Sequence, residues 1–144
     1  MSKTVLVVED EPKIARWVRT YFEQAGFKVL LASDGATGLA LAQSEQPDLA
    51  ILDINLPGMS GLEICLAIRQ HQNKMVANLP IIMLAARVEE VDRLKGFELG
   101  ADDYVIKPFS PKELAARAQA IFRRMPLRQE STSLSEKPAG GSSL

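Results

Sequence analysis

Charged side chains stand directly after apolar runs at three places in this sequence: Glu9-Asp10-Glu11 after Val5 to Val8, Asp53 after Leu49 to Leu52, and Lys107-Pro108 after Tyr104 to Ile106. Taken singly, each acid reads as a solvated loop charge or a helix N-cap. Taken together, they are carboxylates that would repel one another unless a cation sat among them. Hard oxygen ligands of this kind suit Mg²⁺, or Mn²⁺ in its place. A lysine facing the same spot adds a second positive charge, and the place between metal and ammonium then favours the oxygens of a phosphoryl group over another carboxylate. Asp53 is the candidate nucleophile, because a carboxylate can attack phosphorus and carry an acyl phosphate.

That chemistry requires Glu9, Asp10, Asp53 and Lys107 to meet at one edge. Short apolar runs recur at Val5 to Val8, Val29 to Ala32, Leu49 to Leu52, Ile81 to Leu84 and Tyr104 to Ile106, with the length of buried strands. Helical periodicity fills the gaps. Ile14, Trp17, Val18, Tyr21 and Phe22 mark one face of a first helix that ends before Gly26. Ala36, Leu39, Ala40 and Gln43 mark a second, and Leu62, Cys65, Leu66 and Arg69 a third. A fourth runs from about Val88 to Leu99 and stops at Gly100. The fifth, marked by Leu114, Ala118, Ile121 and Phe122, follows Ser110-Pro111, an N-cap with proline at the first helical position. Strand and helix thus alternate five times. Such alternation requires a parallel sheet with right-handed crossovers and helices on both faces, a doubly wound α/β sandwich. Ligands of that architecture bind beyond the carboxyl ends of the strands, where the strand order reverses.

A chain of 144 residues, 47% hydrophobic and 24% charged, has the composition of one globular domain with a core. Its formal net charge of −1 creates no bulk attraction to nucleic acid or an anionic membrane. Cys65 has no second cysteine to pair with and reads as a small buried hydrophobe. His71 lacks metal-ligand companions at useful spacing and reads as solvent-facing. The apolar run after Met1-Ser2-Lys3-Thr4 is too short for a signal peptide or a membrane span, so the expected compartment is the cytosol. Residues 1–124 are expected to form the domain. From Met125-Pro126 onward Ser, Gly, Glu, Lys and Pro dominate, so 125–144 reads as a flexible linker or tail.

The segments Val5-Leu6-Val7-Val8-Glu9-Asp10-Glu11-Pro12, Asp48-Leu49-Ala50-Ile51-Leu52-Asp53-Ile54-Asn55-Leu56-Pro57-Gly58 and Gly100-Ala101-Asp102-Asp103-Tyr104-Val105-Ile106-Lys107-Pro108-Phe109 are jointly specific. With them the chain resembles the receiver (CheY-like) domain of two-component response regulators over roughly residues 3 to 124. The resemblance implies a flavodoxin-like five-stranded sheet of order 2-1-3-4-5 with five helices. It implies Asp53 as phosphoacceptor, Asp10 and Asp53 as side-chain ligands of Mg²⁺, Asn55 as a backbone-carbonyl ligand, Glu9 acting mostly through water, and Lys107 pairing with the phosphoryl group. It also implies a cis peptide at Lys107-Pro108, which proline permits. Gly58 and Gly61 read as turn residues that also let the backbone pass close to the site.

One position departs from the family. The fourth strand of most receivers ends in a Ser or Thr whose hydroxyl bonds the phosphoryl group while an aromatic residue on the fifth strand turns inward. Here Ile81-Ile82-Met83-Leu84 runs into Ala85-Ala86, and Ala85 occupies the hydroxyl position. Such a bond to a charged acceptor is worth roughly 1.5–3 kcal/mol, comparable to an allosteric coupling of about 1–3 kcal/mol. Switching is therefore expected to be weakened, with Tyr104, the aromatic partner, poorly coupled to Asp53; the alternatives are that a neighbouring backbone N–H or an ordered water stands in for the hydroxyl, or that the resting population is already biased toward the active form.

The mixed-charge stretches Val88 to Glu98 and Lys112 to Arg117 read as solvated helix faces. They also resemble the OmpR/PhoB-like winged-helix transcription-factor class, in which these surfaces form a symmetric dimer. Carried over, Arg93 with Glu113 and Asp103 with Arg117 are the cross-pairs of a phosphorylation-dependent homodimer. The resemblance further implies a sensor histidine kinase or phosphotransfer protein docking near the first helix, and a DNA-binding domain that no segment after Arg124 supplies, so this segment itself is not expected to bind nucleic acid. Other readings exist. A haloacid-dehalogenase-like phosphohydrolase would want an Asp two residues after the nucleophile, where Asn55 stands. A nucleotide-binding flavodoxin-like protein would want glycines where Glu9-Asp10-Glu11 stands. A degenerate receiver acting only as an interaction module gains weight from Ala85 and loses it to Asp10, Asp53 and Lys107.

Overall fold

The computed structural model describes residues 2–96, 98 and 100–125. The expected linker beyond Met125 and part of the 97–99 stretch lie outside the described residues. The strands are β1 (Thr4–Val8), β2 (Lys28–Ala32), β3 (Leu49–Asp53), β4 (Ile81–Ala85) and β5 (Asp103–Ile106). They pair in parallel in the order β2-β1-β3-β4-β5, with Val8 opposite Leu52 and Asp53 opposite Leu84. Such pairing needs a crossover after each strand. The crossovers and the closing helix are α1 (Pro12–Gln24), α2 (Gly35–Glu45), α3 (Gly61–Arg69), α4 (Lys74–Ala77), α5 (Val88–Gly96) and α6 (Pro111–Arg124).

Local chemistry starts and stops these helices. Pro12 and Pro111 occupy first-turn positions where a missing N–H costs nothing. Asp34 accepts from the Thr37 N–H at the head of α2. Ser60 and Glu63 form a reciprocal capping box on α3, and Ser110 accepts from the Glu113 N–H on α6. Gly26, with φ +99°, closes the turn after α1.

Two apolar layers flank the sheet. On one side Leu6, Val8, Leu52 and Met83 pack with Ala42 of α2, Ile64, Cys65 and Ile68 of α3, Val76 of α4 and Leu94 of α5. On the other, Val5, Val7, Ile51 and Leu84 pack with Val18 and Phe22 of α1 and with Leu114, Ala118 and Ile121 of α6. All five residues of β3, Asp53 included, are buried, as the centre of a sheet covered on both faces requires.

The structure corrects several expectations. Six helices are present among the described residues, not five, because Asn73 caps a short turn, α4, by accepting from the Met75 N–H. The buried face of α2 is Gly35, Gly38 and Ala42, whereas Ala36, Ala40 and Gln43 are exposed. Its small residues let the helix ride against the sheet: a Cβ on Gly38 would sit 2.6 Å from a Val8 methyl. Trp17 and Leu66, read as core, are 55% and 40% exposed, while Ile64 and Ile68 fill the inner face of α3. Arg69 is not part of an apolar stripe. Its guanidinium donates to the carbonyls of Ala77, Leu79 and Gly100, and it also pairs with Asp102, tying together the loops below β4 and β5. His71 is half-buried, its Nδ1 accepting from the Asn73 N–H.

Candidate functional site

Glu9 and Asp10 follow β1, Asp53 ends β3, Ala85 ends β4, and Lys107 follows β5, all at the carboxyl edge of the sheet. The strand order reverses between β1 and β3, so Glu9 and Asp53 face each other across the crevice that parallel α/β sheets leave for ligands. Carboxylate oxygens of Glu9, Asp10 and Asp53 lie within 4.8 Å of one another. Asp10 is exposed, whereas Glu9 and Asp53 are each 2% exposed.

Each oxygen of the Asp53 carboxylate accepts a hydrogen bond. Oδ1 accepts from the Asn55 N–H at 2.9 Å, and Oδ2 accepts from Lys107 Nζ at 2.6 Å. The Lys107 backbone N–H donates to the Ala85 carbonyl, and the Lys107–Pro108 peptide is cis. Lys107 Nζ also lies 3.1 Å from Glu9 Oε1, an ion-pair distance. Apart from that ion pair, the buried Oε1 has no hydrogen-bond partner. Glu9 Oε2 accepts from the Glu11 N–H.

These contacts set the proton affinities. Burial pushes the Glu9 carboxyl up to about 7, opposed by the Glu11 N–H and reinforced by the Asp53 charge. Burial works against the Lys107 ammonium, but Asp53 and Glu9 outweigh it and hold its pKa above the usual lysine value. One ammonium for this set of carboxylates leaves negative charge in excess. The donors are hard oxygens, and the buried Glu9 Oε1 has an ammonium nearby but no hydrogen bond, so the residues fit a small divalent cation held by oxygens.

Asn55 itself is exposed. Gly61 lets the loop after β3 fold back close under that strand. Its N–H donates to the Ile54 carbonyl, and a Cβ there would stand 2.4 Å from the Asp53 carbonyl oxygen. Gly58 has open space around it and φ +72°, so turn geometry alone accounts for it.

Ala85 is fully buried, with no polar atom to offer from its side chain. Tyr104 is half-buried against the layer that contains Ala85 and Leu94, with Lys95 Nζ 5.9 Å from its ring centroid. On α6, Arg117 pairs within the same chain with Asp103 at 3.0 Å and with Glu113 at 3.3 Å, while Arg93 is exposed. Three of the four residues expected to reach across a dimer, Asp103, Glu113 and Arg117, are thus paired with one another in the single chain.

Glu90, in the first turn of α5, escaped the sequence reading. It is 8% exposed, Oε1 accepting from the Ala86 N–H at 2.7 Å and Oε2 from the Asn55 side-chain amide at 3.2 Å. Burial alone would raise its pKa, but these bonds overcome that and hold it below the usual glutamate value. A run of mixed charge on a helix gives no sign that one member turns inward.

Residues 5–119 match the family model described as the response regulator receiver domain. The chain is 44% identical over 134 residues to the alkaline phosphatase synthesis transcriptional regulatory protein PhoP of Bacillus subtilis, covering 93% of this chain and 54% of that protein. It is 44% identical to the phosphate regulon transcriptional regulatory protein PhoB of Pseudomonas aeruginosa, over 86% of this chain and 53% of the relative. The chain therefore spans about half the length of the curated relatives it matches. Among solved structures it is similar to the chemotaxis response regulator CheY4 of Vibrio cholerae, with a TM-score of 0.76, 32% identity, and 84% and 99% of the two chains covered. It is also similar to the receiver domain of a sensor histidine kinase of Pseudomonas aeruginosa PAO1 with a magnesium ion coordinated in its active site cleft. That likeness has a TM-score of 0.74 and 29% identity, over 83% and 97% of the chains.

Proposed function

We propose, from the premise that this chain belongs to the response regulator receiver domain family, that Asp53 is its phosphoacceptor and Lys107 its phosphoryl-binding cation. The observation that carries this reading is the 2.6 Å contact from Lys107 Nζ to Asp53 Oδ2 beside an acidic cluster whose Glu9 Oε1 has no hydrogen-bond partner. In the transfer, a carboxylate oxygen of Asp53 forms a bond to phosphorus while the bond from phosphorus to the donor breaks. With a phosphohistidine donor, the electron pair of that bond stays on the imidazole nitrogen.

Asp10 and Asp53 by side chain, Asn55 by its backbone carbonyl and Glu9 mostly through water would hold Mg²⁺ or Mn²⁺. The chemistry supplied by such a cation is neutralisation of the carboxylates and of the charge on the phosphoryl oxygens. Lys107 would orient and neutralise the phosphoryl oxygens through its ammonium. Asn55 leaves no second carboxylate two residues after the nucleophile, which favours a lasting acyl phosphate over rapid hydrolysis.

The phosphoryl donor is a sensor histidine kinase or phosphotransfer protein in the cytoplasm, and the output is carried by the surface of α5, β5 and α6. Relatives twice as long are transcriptional regulators, which supports a linker from residue 125 into an output domain. A homodimer through Arg93, Asp103, Glu113 and Arg117 would require Arg117 to exchange its own partners for those of a second copy. Among the described residues no helix is long and apolar enough to cross a membrane. The buried methyl of Ala85 supports a second reading, a receiver that serves as an interaction module without switching.

Intact mass after incubation with acetyl phosphate and Mg²⁺ separates the two. The wild type gains one base-labile phosphoryl group and Asp53→Ala gains none. No gain in either, from acetyl phosphate or candidate kinases, would leave the interaction module.

A further inference from the structure

Glu9, Asp53 and Glu90 are the buried charged residues among those described, and Glu90 alone lies outside the acidic cluster. A buried carboxylate is tolerated where hydrogen bonds replace water, and those bonds have a direction here. Asp53 Oδ1 accepts from the Asn55 N–H, the Asn55 side-chain amide donates to Glu90 Oε2, and Glu90 Oε1 accepts from the Ala86 N–H. One residue, Asn55, is therefore bonded to both carboxylates, and one side chain of α5 holds the loops that leave β3 and β4.

A phosphoryl group on Asp53 carries about −1.5 to −2 of charge beside Asn55, where the carboxylate carried a single negative charge, and withdraws one Asp53 oxygen from carboxylate duty. Phosphorus bonded to Oδ1, the oxygen that accepts from the Asn55 N–H, takes that acceptor away, and as the residue moves it carries its side-chain amide with it. Ala85, whose methyl is buried, has no donor with which to sense the change. We propose that Glu90 is the positioning residue through which phosphorylation of Asp53 reaches α5 in this chain, in place of the missing hydroxyl. The inference rests on the phosphoacceptor reading above.

Wild type, Glu90→Ala and Glu90→Gln are each phosphorylated with acetyl phosphate and Mg²⁺. Occupancy is read by intact mass, and amide hydrogen exchange across α5 and β5 is compared with and without the phosphoryl group, per phosphorylated molecule. Glu90→Ala is expected to shrink the phosphorylation-induced change about fivefold or more, the low end of an allosteric coupling. Glu90→Gln, which keeps the volume but turns an amide toward Asn55, shrinks it as well and decides the matter if the alanine variant does not fold. Adding Ala85→Thr to Glu90→Ala restores the response, which a merely structural loss would not allow. A change of wild-type size in both Glu90 variants would overturn the proposal. Failure of the wild type to take up phosphate, seen in the mass and not in the exchange, would remove the phosphoacceptor reading beneath it.

Discussion

Lys107 donates a 2.6 Å bond to Asp53, and the same ammonium is the ion-pair partner of Glu9 3.1 Å away. Two buried carboxylates therefore share one cation. Replacing it leaves both unpaired, whereas Asp53→Asn removes one carboxylate and relieves repulsion. Lys107→Met is expected to lower metal-free stability by about 2 kcal/mol, less than the 3–5 of a fully buried pair because the ammonium is partly exposed. Asp53→Asn is expected to cost less. Urea unfolding in EDTA checks the order, and Mg²⁺ should restore part of the loss in Lys107→Met.

Ala85→Thr supplies the hydroxyl that the buried end of β4 lacks. The added donor is expected to raise the fraction of phosphorylated molecules that dimerise about fivefold or more, the low end of an allosteric coupling, read by sedimentation with and without acetyl phosphate. An unchanged response would mean that Tyr104 is not part of the switch in this chain.

Gly61 and Gly58 differ in what a methyl would meet. Gly61→Ala drives a Cβ to 2.4 Å from the Asp53 carbonyl oxygen and is expected to cost about 1–3 kcal/mol by overpacking, together with slower phosphoryl uptake. Gly58→Ala meets nothing, so its cost is the left-handed backbone alone, about 1–2 kcal/mol, with uptake little changed. Denaturant curves paired with mass spectrometry distinguish the two.

Arg69→Ala removes the donor shared by the Ala77, Leu79 and Gly100 carbonyls. A loss of about 1.5–3 kcal/mol is expected, the range for bonds to a charged group. Hydrogen exchange should rise in the loops before β4 and β5 and not at the carboxyl edge.

Asp34 caps α2 through the Thr37 N–H and hydroxyl, bonds that hold its pKa below the ordinary 3.8. A depressed folded-state pKa means that the charge stabilises above the unfolded value and that the benefit disappears as pH falls through the folded one. The melting temperature of Asp34→Ala should therefore lie below wild type at neutral pH, with the gap narrowing once pH drops beneath 3.8.

Strands were the most legible part of the fold, because the inner strands are covered on both faces and must be apolar throughout. The helices were less so. On α2, glycines at 35 and 38 make the contact, and a search for large apolar residues finds only the flanking leucines. The exposed Trp17 and the inward Arg69 invert the same rule. At the site, acids and a lysine after apolar runs pointed to Glu9, Asp10, Asp53 and Lys107 because strand direction alone delivers them to one edge. Glu90 reaches that edge only through the angle at which α5 leaves β4, and three-dimensional angles of this kind leave no mark in spacing.

The pairing of Arg117 with Asp103 inside one chain bears on fidelity. If two copies trade these partners, the number of ion pairs before and after is the same, so the trade adds little adhesion. A copy meeting a relative with different charges at those positions would instead give up a satisfied pair and receive nothing. In the proposed homodimer such residues would act as a password between identical subunits: silent when it matches, and a penalty when it does not.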